Sequence, residues 1–338
     1  MRLFLITIIS LLLNSNIFAQ GCCSGGAGSP IAGGAATGVL QENQMEISVN
    51  YQYNKSNKFF TEHQDTTPKF NLSSDYLFFR VDYGVSKKLT LSIASGYFLN
   101  KLLIDTSKHF NYSSSGLGDI IILPRYSIYN KTANFKRTEI ALGLGAKIPL
   151  GTHNDSSVVW LANEWFPGSP PKDQLELNPP TVQTTNGSND LMFYLFFFRE
   201  YQKKKLRIFM TALHVNKGYN PSGIKFGNYS SVGLFASKTF FYRWGVTGQI
   251  KAENISQIKI ADNGGSYNIN PESTGSKKWF FIPQLSYSQN GITVFATSEI
   301  PLYQYLNGTQ VGSQYQFTVG VNYRFLTKEC EDPITTIN

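Results

Sequence analysis

The chain has 338 residues, of which 41% are hydrophobic and only 15% charged, with 25 Phe, 19 Tyr, 29 Gly and a formal net charge of +8. A soluble domain ordinarily carries about 25% charged residues, so the composition argues against a soluble enzyme; transmembrane helices are excluded too, because the longest obvious apolar run past the leader, Leu191 to Phe198, is far short of the about 18 residues a span needs. The basic residues cluster at Lys87-Lys88, Lys136-Arg137 and Lys203-Lys204-Lys205 and form no single stripe, which argues against nucleic acid and fits solvated turns that can also face anionic head groups.

At the start, Arg2, a largely apolar run from Leu3 to Leu13, and Ile17-Phe18-Ala19 before Gln20 have the form of a secretory signal peptide. Residues 1–19 are set aside as that leader, with cleavage after Ala19. Cys22 raises lipoprotein processing, but the places three and two before it hold Ala19 and Gln20, which a lipobox does not favour; lipidation stays an alternative.

From residue 41 onward the sequence alternates with a period of two. Ile47, Val49, Tyr51 and Tyr53 interleave with Glu46, Ser48, Asn50 and Gln52. Leu77, Phe79, Val81, Tyr83 and Val85 interleave with Tyr76, Phe78, Arg80, Asp82 and Gly84, and after the turn at Ser86-Lys87-Lys88 come Leu89, Leu91, Ile93 and Tyr97. Further strands are expected near 118–129, 138–149, 190–201, 206–215, 229–237, 243–252, 278–288, 292–300 and 314–325. The strand near 190 is the hardest to phase, because Leu191 to Phe198 is apolar on both faces. Apolar-out, polar-in strands of about ten residues are the mark of a transmembrane β-barrel.

The connections alternate as well. Long ones fall near 54–74, 100–117, 150–189, 216–228, 253–277 and 301–313; short ones fall near 86–88, 130–137, 202–205, 238–242 and 289–291. A β-sandwich has no reason to keep that alternation. The expectation is an all-β chain, a closed antiparallel transmembrane β-barrel of about twelve strands over residues 41–325, with short periplasmic turns and long extracellular loops. An even strand count leaves both termini periplasmic, including a tail at 326–338. The last strand alternates Tyr315, Phe317, Val319, Val321, Tyr323 and Phe325 with polar residues and resembles the targeting strand read by the barrel-assembly machinery, although a tail follows it.

Several segments carry a family resemblance: Gly116-Leu117-Gly118-Asp119-Ile120 with Pro124-Arg125-Tyr126, Leu142-Gly143-Leu144-Gly145-Ala146-Lys147-Ile148-Pro149-Leu150-Gly151, Asn186-Gly187-Ser188-Asn189-Asp190, and Ile300-Pro301-Leu302-Tyr303-Gln304. Together they resemble outer-membrane barrels described as transporters of a phenol meta-degradation pathway. The opening Gly21-Cys22-Cys23-Ser24-Gly25-Gly26 resembles the start of related barrels of the Bacteroidetes. The resemblance implies a channel for small, apolar or aromatic molecules in contact with outer-membrane lipid. The rival function is a non-transporting structural, adhesive or envelope-assembly barrel.

Ionisable residues inside a membrane span line an aqueous path or pair with one another. Arg80, Asp82, Asp119, Arg125, Glu139, Lys147, Arg199, Lys251, Glu299 and Arg324 are the inward candidates, and pathway lining and structural pairing both stay open. In the 150–189 connection, Trp160, Trp165 and Phe166 with nearby prolines suggest a surface lid, a constriction in the mouth, or a loop packed on its neighbours. His63, His109, His153 and His214 have no paired spacing for a metal, and no Gly-x-Ser-x-Gly element is present; no catalytic residue, metal or cofactor is expected. The Gly- and Cys-rich residues 20–40 lack periodicity and form either a periplasmic tail or a partial lumen plug, by analogy with the N-terminal segment of long-chain fatty-acid transporters. Cys22, Cys23 and Cys330 lie at the two chain ends, which barrel closure brings together, so a disulfide from Cys330 to Cys22 or Cys23 is expected in the oxidising periplasm. The thiol left over could pair between molecules or bind a soft metal with its neighbour.

Overall fold

The structure, a computed structural model, describes residues 38–66, 70–105, 110–161, 172–262, 270–314 and 316–328. Twelve long strands form the wall: β1 Gln44–Ser56, β2 Phe70–Ser86, β3 Leu89–Asp105, β4 Asp119–Ala133, β5 Lys136–Pro149, β6 Asp190–Tyr201, β7 Leu206–Asn216, β8 Tyr229–Phe240, β9 Trp244–Ile255, β10 Ser276–Gln289, β11 Ile292–Val311 and β12 Gln316–Leu326. Each wall strand pairs antiparallel with its sequence neighbours, and β12 returns to β1 in a continuous register from Gln44↔Leu326 to Asn54↔Gln316. The sheet is therefore a closed twelve-stranded barrel. Closure satisfies every wall strand on both sides, which is what a span through hydrocarbon requires of a sheet.

The period-two pattern decides which side chains face in. On β1, Ser48, Asn50 and Gln52 are at most 2% exposed, while Ile47 and Val49 stand outward at 39% and 38%. The same split holds on β2, where Phe79 and Val81 face out and Phe78, Arg80 and Asp82 face in. On β6 both faces are apolar because the interior at that height is itself a hydrophobic cluster: Met192, Tyr194 and Phe196 pack with Phe209, Leu213 and Tyr229 from β7 and β8. Burying one such ring contributes roughly 1.5–3 kcal/mol.

At one end the strands turn back tightly. Asn134-Phe135 and Asn290-Gly291 take the left-handed pairs of angles that a two-residue hairpin needs, with φ of 50 and 58 degrees in the first and 51 and 79 degrees in the second. At the other end the strands outrun the about ten residues that cross a bilayer. β3 continues to Asp105 and pairs with an added strand, Phe110–Leu117, inside the expected 100–117 loop. β11, expected to end at 300, continues to Val311. Pro301 has no N–H to donate, and the β10–β11 ladder absorbs it with a register shift at Trp279/Phe280 before pairing resumes. The 150–189 connection contains a hairpin of Ser156–Leu161 with Lys172–Leu177.

Candidate functional site

Inward charges gather in three groups, one on the β1–β2–β4–β12 side, one on the β9–β11 side, and one at the long-connection end. In the first, Arg80 donates from Nε to Asp82 Oδ2 at 2.8 Å and from Nη2 to Glu46 Oε1 at 3.1 Å. Arg125 donates to Asp82 Oδ1 at 2.9 Å and to Ser92 Oγ at 2.9 Å, and Arg324 Nε donates to Glu46 Oε2 at 2.7 Å. Glu46, Arg80, Asp82 and Arg324 sit at even inward positions on adjoining strands, so ladder register brings them within reach: Glu46 faces Asp82 across β1 and β2, and Glu46 faces Arg324 across β1 and β12; Arg125 reaches Asp82 from β4, across β3. Arg80, Asp82, Arg125 and Glu46 are all nearly fully buried. Guanidiniums this deep need carboxylates with their remaining donors satisfied, since an uncompensated buried charge costs several kcal/mol or more.

In the second group, Lys251 Nζ lies 2.7 Å from Glu299 and 3.4 Å from Glu253, and 4.6 Å from the centre of the Phe280 ring. Lys278, 4% exposed, donates to Ser313 Oγ at 2.9 Å. In the third, Lys147 pairs with Asp119 and lies 3.5 Å from Asp190. Here the connection after the 156–177 hairpin folds inward over the wall residues. Ser114 donates to the Val182 carbonyl, Lys101 Nζ to the Gln183 carbonyl at 2.7 Å, and Thr185 to Asp119. Val182 through Thr185 are buried accordingly. Lys217, just beyond β7, is buried beneath the same connection, and burial followed by the charge of Lys147 pushes its ammonium down to about 8.

Residues 38–40 also lie inside the wall. The chain reverses at Gln41-Glu42-Asn43, and the preceding residues run up inside the wall. Val39 N donates to Glu139 Oε1 at 2.7 Å, Leu40 N to Thr90 Oγ1 at 2.8 Å, and Arg125 Nη1 to the Gly38 carbonyl at 2.8 Å. A Cβ at position 38 would run into the Glu139 carboxylate and the Phe196 ring, so glycine permits this close approach.

Between these groups lies a cavity of about 780 Å³ that begins at the tight-turn end, beside Gln44 and Arg243, and rises to Ser313. Rings line it on β6–β8, with Phe196, Phe198, Phe209 and Phe235, and again on β10–β11, with Phe280 and Phe295, where the Lys251–Glu299–Glu253 group and Lys278 stand among them. Phe209 and Phe235 stack at 4.2 Å between ring centres. Facing β6–β8 are the ion-paired groups of Glu46, Asp82, Arg125 and Arg324. The Lys147–Asp119–Asp190 group lies above, outside the cavity lining.

Of the expected inward charges, Arg80, Asp82, Asp119, Arg125, Glu139, Lys147, Lys251, Glu299 and Arg324 occupy inward positions. Arg199 does not. On β6 the inward residues are even-numbered, Met192, Tyr194, Phe196, Phe198 and Glu200, and Arg199 shares the outward parity of Leu191 and Phe193 with its guanidinium 5.7 Å from the Tyr201 ring. The long apolar run gave no polar contrast by which to set the phase there. Trp160 lies on the outer hairpin, while Trp165 and Phe166 fall outside the described residues. His63 and His153 sit in separate loops, and His214 faces outward against Ser230 at 2.8 Å; His109 and all three cysteines fall outside the described residues. Among the described residues no His, Cys, Asp and Glu group could hold a metal ion. Glu46, Glu253, Lys278 and Asp190 are legible from strand parity, Asp190 standing opposite Lys147 across β5 and β6, whereas Lys217, one residue past β7, continues that row beyond the reach of the strand pattern.

No protein-family model matches the chain, and no curated protein matches its sequence. Among solved structures the chain is similar to the COG4313 outer membrane channel from Pseudomonas putida F1, with a TM-score of 0.63 and 10% identity over 85% of this chain and 97% of that one. Looser similarity extends to the NanC porin, with a TM-score of 0.42 and 12% identity over 82% and 98% of the two chains. It extends also to a Pseudomonas aeruginosa FadL homologue, at 0.38 and 9% over 90% and 99%. At these identities the first similarity shows the fold alone, and the other two add nothing to it.

Proposed function

We propose that the chain is a bacterial outer-membrane channel for small molecules, with both termini periplasmic, and that its solutes are apolar or aromatic. The observation that carries this reading is the cavity itself, in which the ring-lined stretch of β6–β8 faces the ion-paired groups of Glu46, Asp82, Arg125 and Arg324. Its volume falls within the range of small-ligand sites, roughly 300–1,000 Å³. An aromatic solute passing along β6–β8 exchanges water for ring contacts, while the paired charges opposite keep water in the rest of the section and hold the wall rigid. The chain carries out no chemistry in this reading, and outer-membrane lipid and the barrel-assembly machinery are its partners.

Residues 20–37 continue the path of Gly38, Val39 and Leu40 as a partial plug, and Cys330 bridges Cys22 or Cys23 near the tight-turn end. The inward-folded connection over Asp119 and Lys147 favours the rival reading, a barrel that transports nothing, because it narrows the lumen at the end away from the tight turns. Single-channel conductance of the refolded protein separates the two. The channel reading expects ion current that small aromatic solutes interrupt, with a larger current after deletion of residues 20–37. Bilayers that stay silent for both proteins, with or without solute, would leave the non-transporting barrel standing.

A further inference from the structure

Three successive tight turns, β4–β5, β6–β7 and β8–β9, lie side by side along one arc of the barrel edge, since β4 to β9 are consecutive in the sheet. Their sequence is unusual for tight turns with left-handed backbone, where Asn and Gly avoid the steric cost. Phe135 has φ 58, Phe241 φ 46 and Tyr242 φ 62 degrees, conformations that bulky side chains rarely adopt. Nor do these rings gain burial in return. Phe241 and Tyr242 are 86% and 83% exposed.

The cations of this arc are arranged around the rings. Lys203 Nζ lies 4.2 Å from the Phe135 ring and Lys205 Nζ 3.6 Å from that of Tyr242, so the middle turn is stapled to the turn on either side. Lys136 and Arg199 flank the Tyr201 ring at 6.0 and 5.7 Å, and Lys238 lies 5.4 Å from that of Phe240. With Lys204, six cations therefore stand at turn or outward positions. The flanking strand ends, residues 130–141, 197–209 and 236–247, hold only two acids, Glu139 and Glu200. Both are spent inside the barrel, paired with Arg137 and Arg207. The outward edge thus has charge of one sign next to exposed rings. Aromatic residues prefer the level of lipid head groups, and each basic residue near an anionic bilayer surface adds to binding.

We propose that this arc of the rim binds the head groups of anionic phospholipids in the periplasmic leaflet, the cations meeting phosphates and Phe241 and Tyr242 seating at the head-group level. This rests on the outer-membrane reading with short turns periplasmic, but not on conduction. The test is native mass spectrometry of the delipidated full chain in detergent, titrated with phosphatidylglycerol or phosphatidylcholine. Phosphatidylglycerol should bind in preference, and Lys203→Gln/Lys204→Gln/Lys205→Gln should weaken it by about tenfold or more, because one basic residue near a charged surface is worth about a factor of five. Lys87→Gln/Lys88→Gln, on the turn between β2 and β3, should leave it unchanged, and heat-modifiable gel mobility confirms that both variants are folded. Equal binding of the two lipids, or equal losses in the two variants, would overturn the proposal. So would preferential retention of lipopolysaccharide by the same three lysines, which would place this rim in the opposite leaflet; bilayer conductance is expected to be the same in all three proteins, so a non-conducting barrel leaves this outcome readable.

Discussion

Asp82 is where the wall depends on a single carboxylate. It accepts from two guanidiniums and one hydroxyl at once, Arg80 at 2.8 Å, Arg125 at 2.9 Å, and Ser92. In Asp82→Ala, Arg80 keeps Glu46 and Arg125 keeps Ser92 and the Gly38 carbonyl, but the anion they share is gone and the buried group gains net positive charge. Breaking a buried pair by removing one partner costs about 3–5 kcal/mol. The lower end applies here, about 3 kcal/mol, because Asp82 and Arg125 border the cavity and water can partly replace the lost anion. The internal control is Lys58–Asp65, a 3.5 Å pair in a connection at the long-loop end with side chains 46% and 55% exposed. Asp65→Ala should cost less than about 1 kcal/mol, the range of exposed pairs. Urea unfolding in lipid vesicles, followed by tryptophan fluorescence and checked by heat-modifiable mobility, measures both. If Asp82→Ala fell within the range of Asp65→Ala, the Arg80–Asp82–Arg125 group would be a solvated lining and its assignment as a structural tie would be wrong.

Lys217 has a folded-state proton affinity below its unfolded one, so its burial opposes folding at neutral pH, and stability should rise as pH climbs through about 8 toward the ordinary lysine range. Hydrogen-exchange protection factors at residues 182–188, corrected for base-catalysed intrinsic exchange, should therefore rise with pH in the wild type, and Lys217→Met should abolish that rise; an unchanged pH profile in the variant would exclude the assignment. In a background with all three cysteines replaced by Ser, Leu175→Cys, whose parent side chain is 72% exposed on the outer hairpin, should react with an impermeant maleimide on intact cells, and Lys88→Cys should not; the reverse pattern would invert the topology. Alkylation without reductant should block one cysteine, with Cys330 recovered in a mixed peptide with Cys22 or Cys23, and three fully alkylated cysteines would rule the bridge out.

The linear sequence determined the barrel and most of its inner face. A period of two, repeated between alternating long and short connections, fixes strand number and facing because a one-residue slip would place Arg80 and Asp82 in lipid and Phe79 and Val81 in the interior. Asn290-Gly291 marks its turn unaided. Where contrast along the chain vanishes, so does the information: Leu191 to Phe198 is apolar on both sides, and Arg199, expected inward, turns outward, because nothing local distinguishes Phe196 packed inside from Phe193 turned outward. Pro301 looked like a strand end, yet the ladder continues past it, since a bulge across the sheet can accommodate one missing donor. Only the tertiary structure decided which charges meet. Glu46 and Arg324 are 278 residues apart and become partners because closure sets β1 beside β12, and Lys217 joins Lys147 and Asp190 because the β5–β6–β7 register sets them in one row. Periodicity is a property of each segment, but pairing and burial are properties of the closed wall, and electrostatic energy depends on those distances and on the water excluded between them.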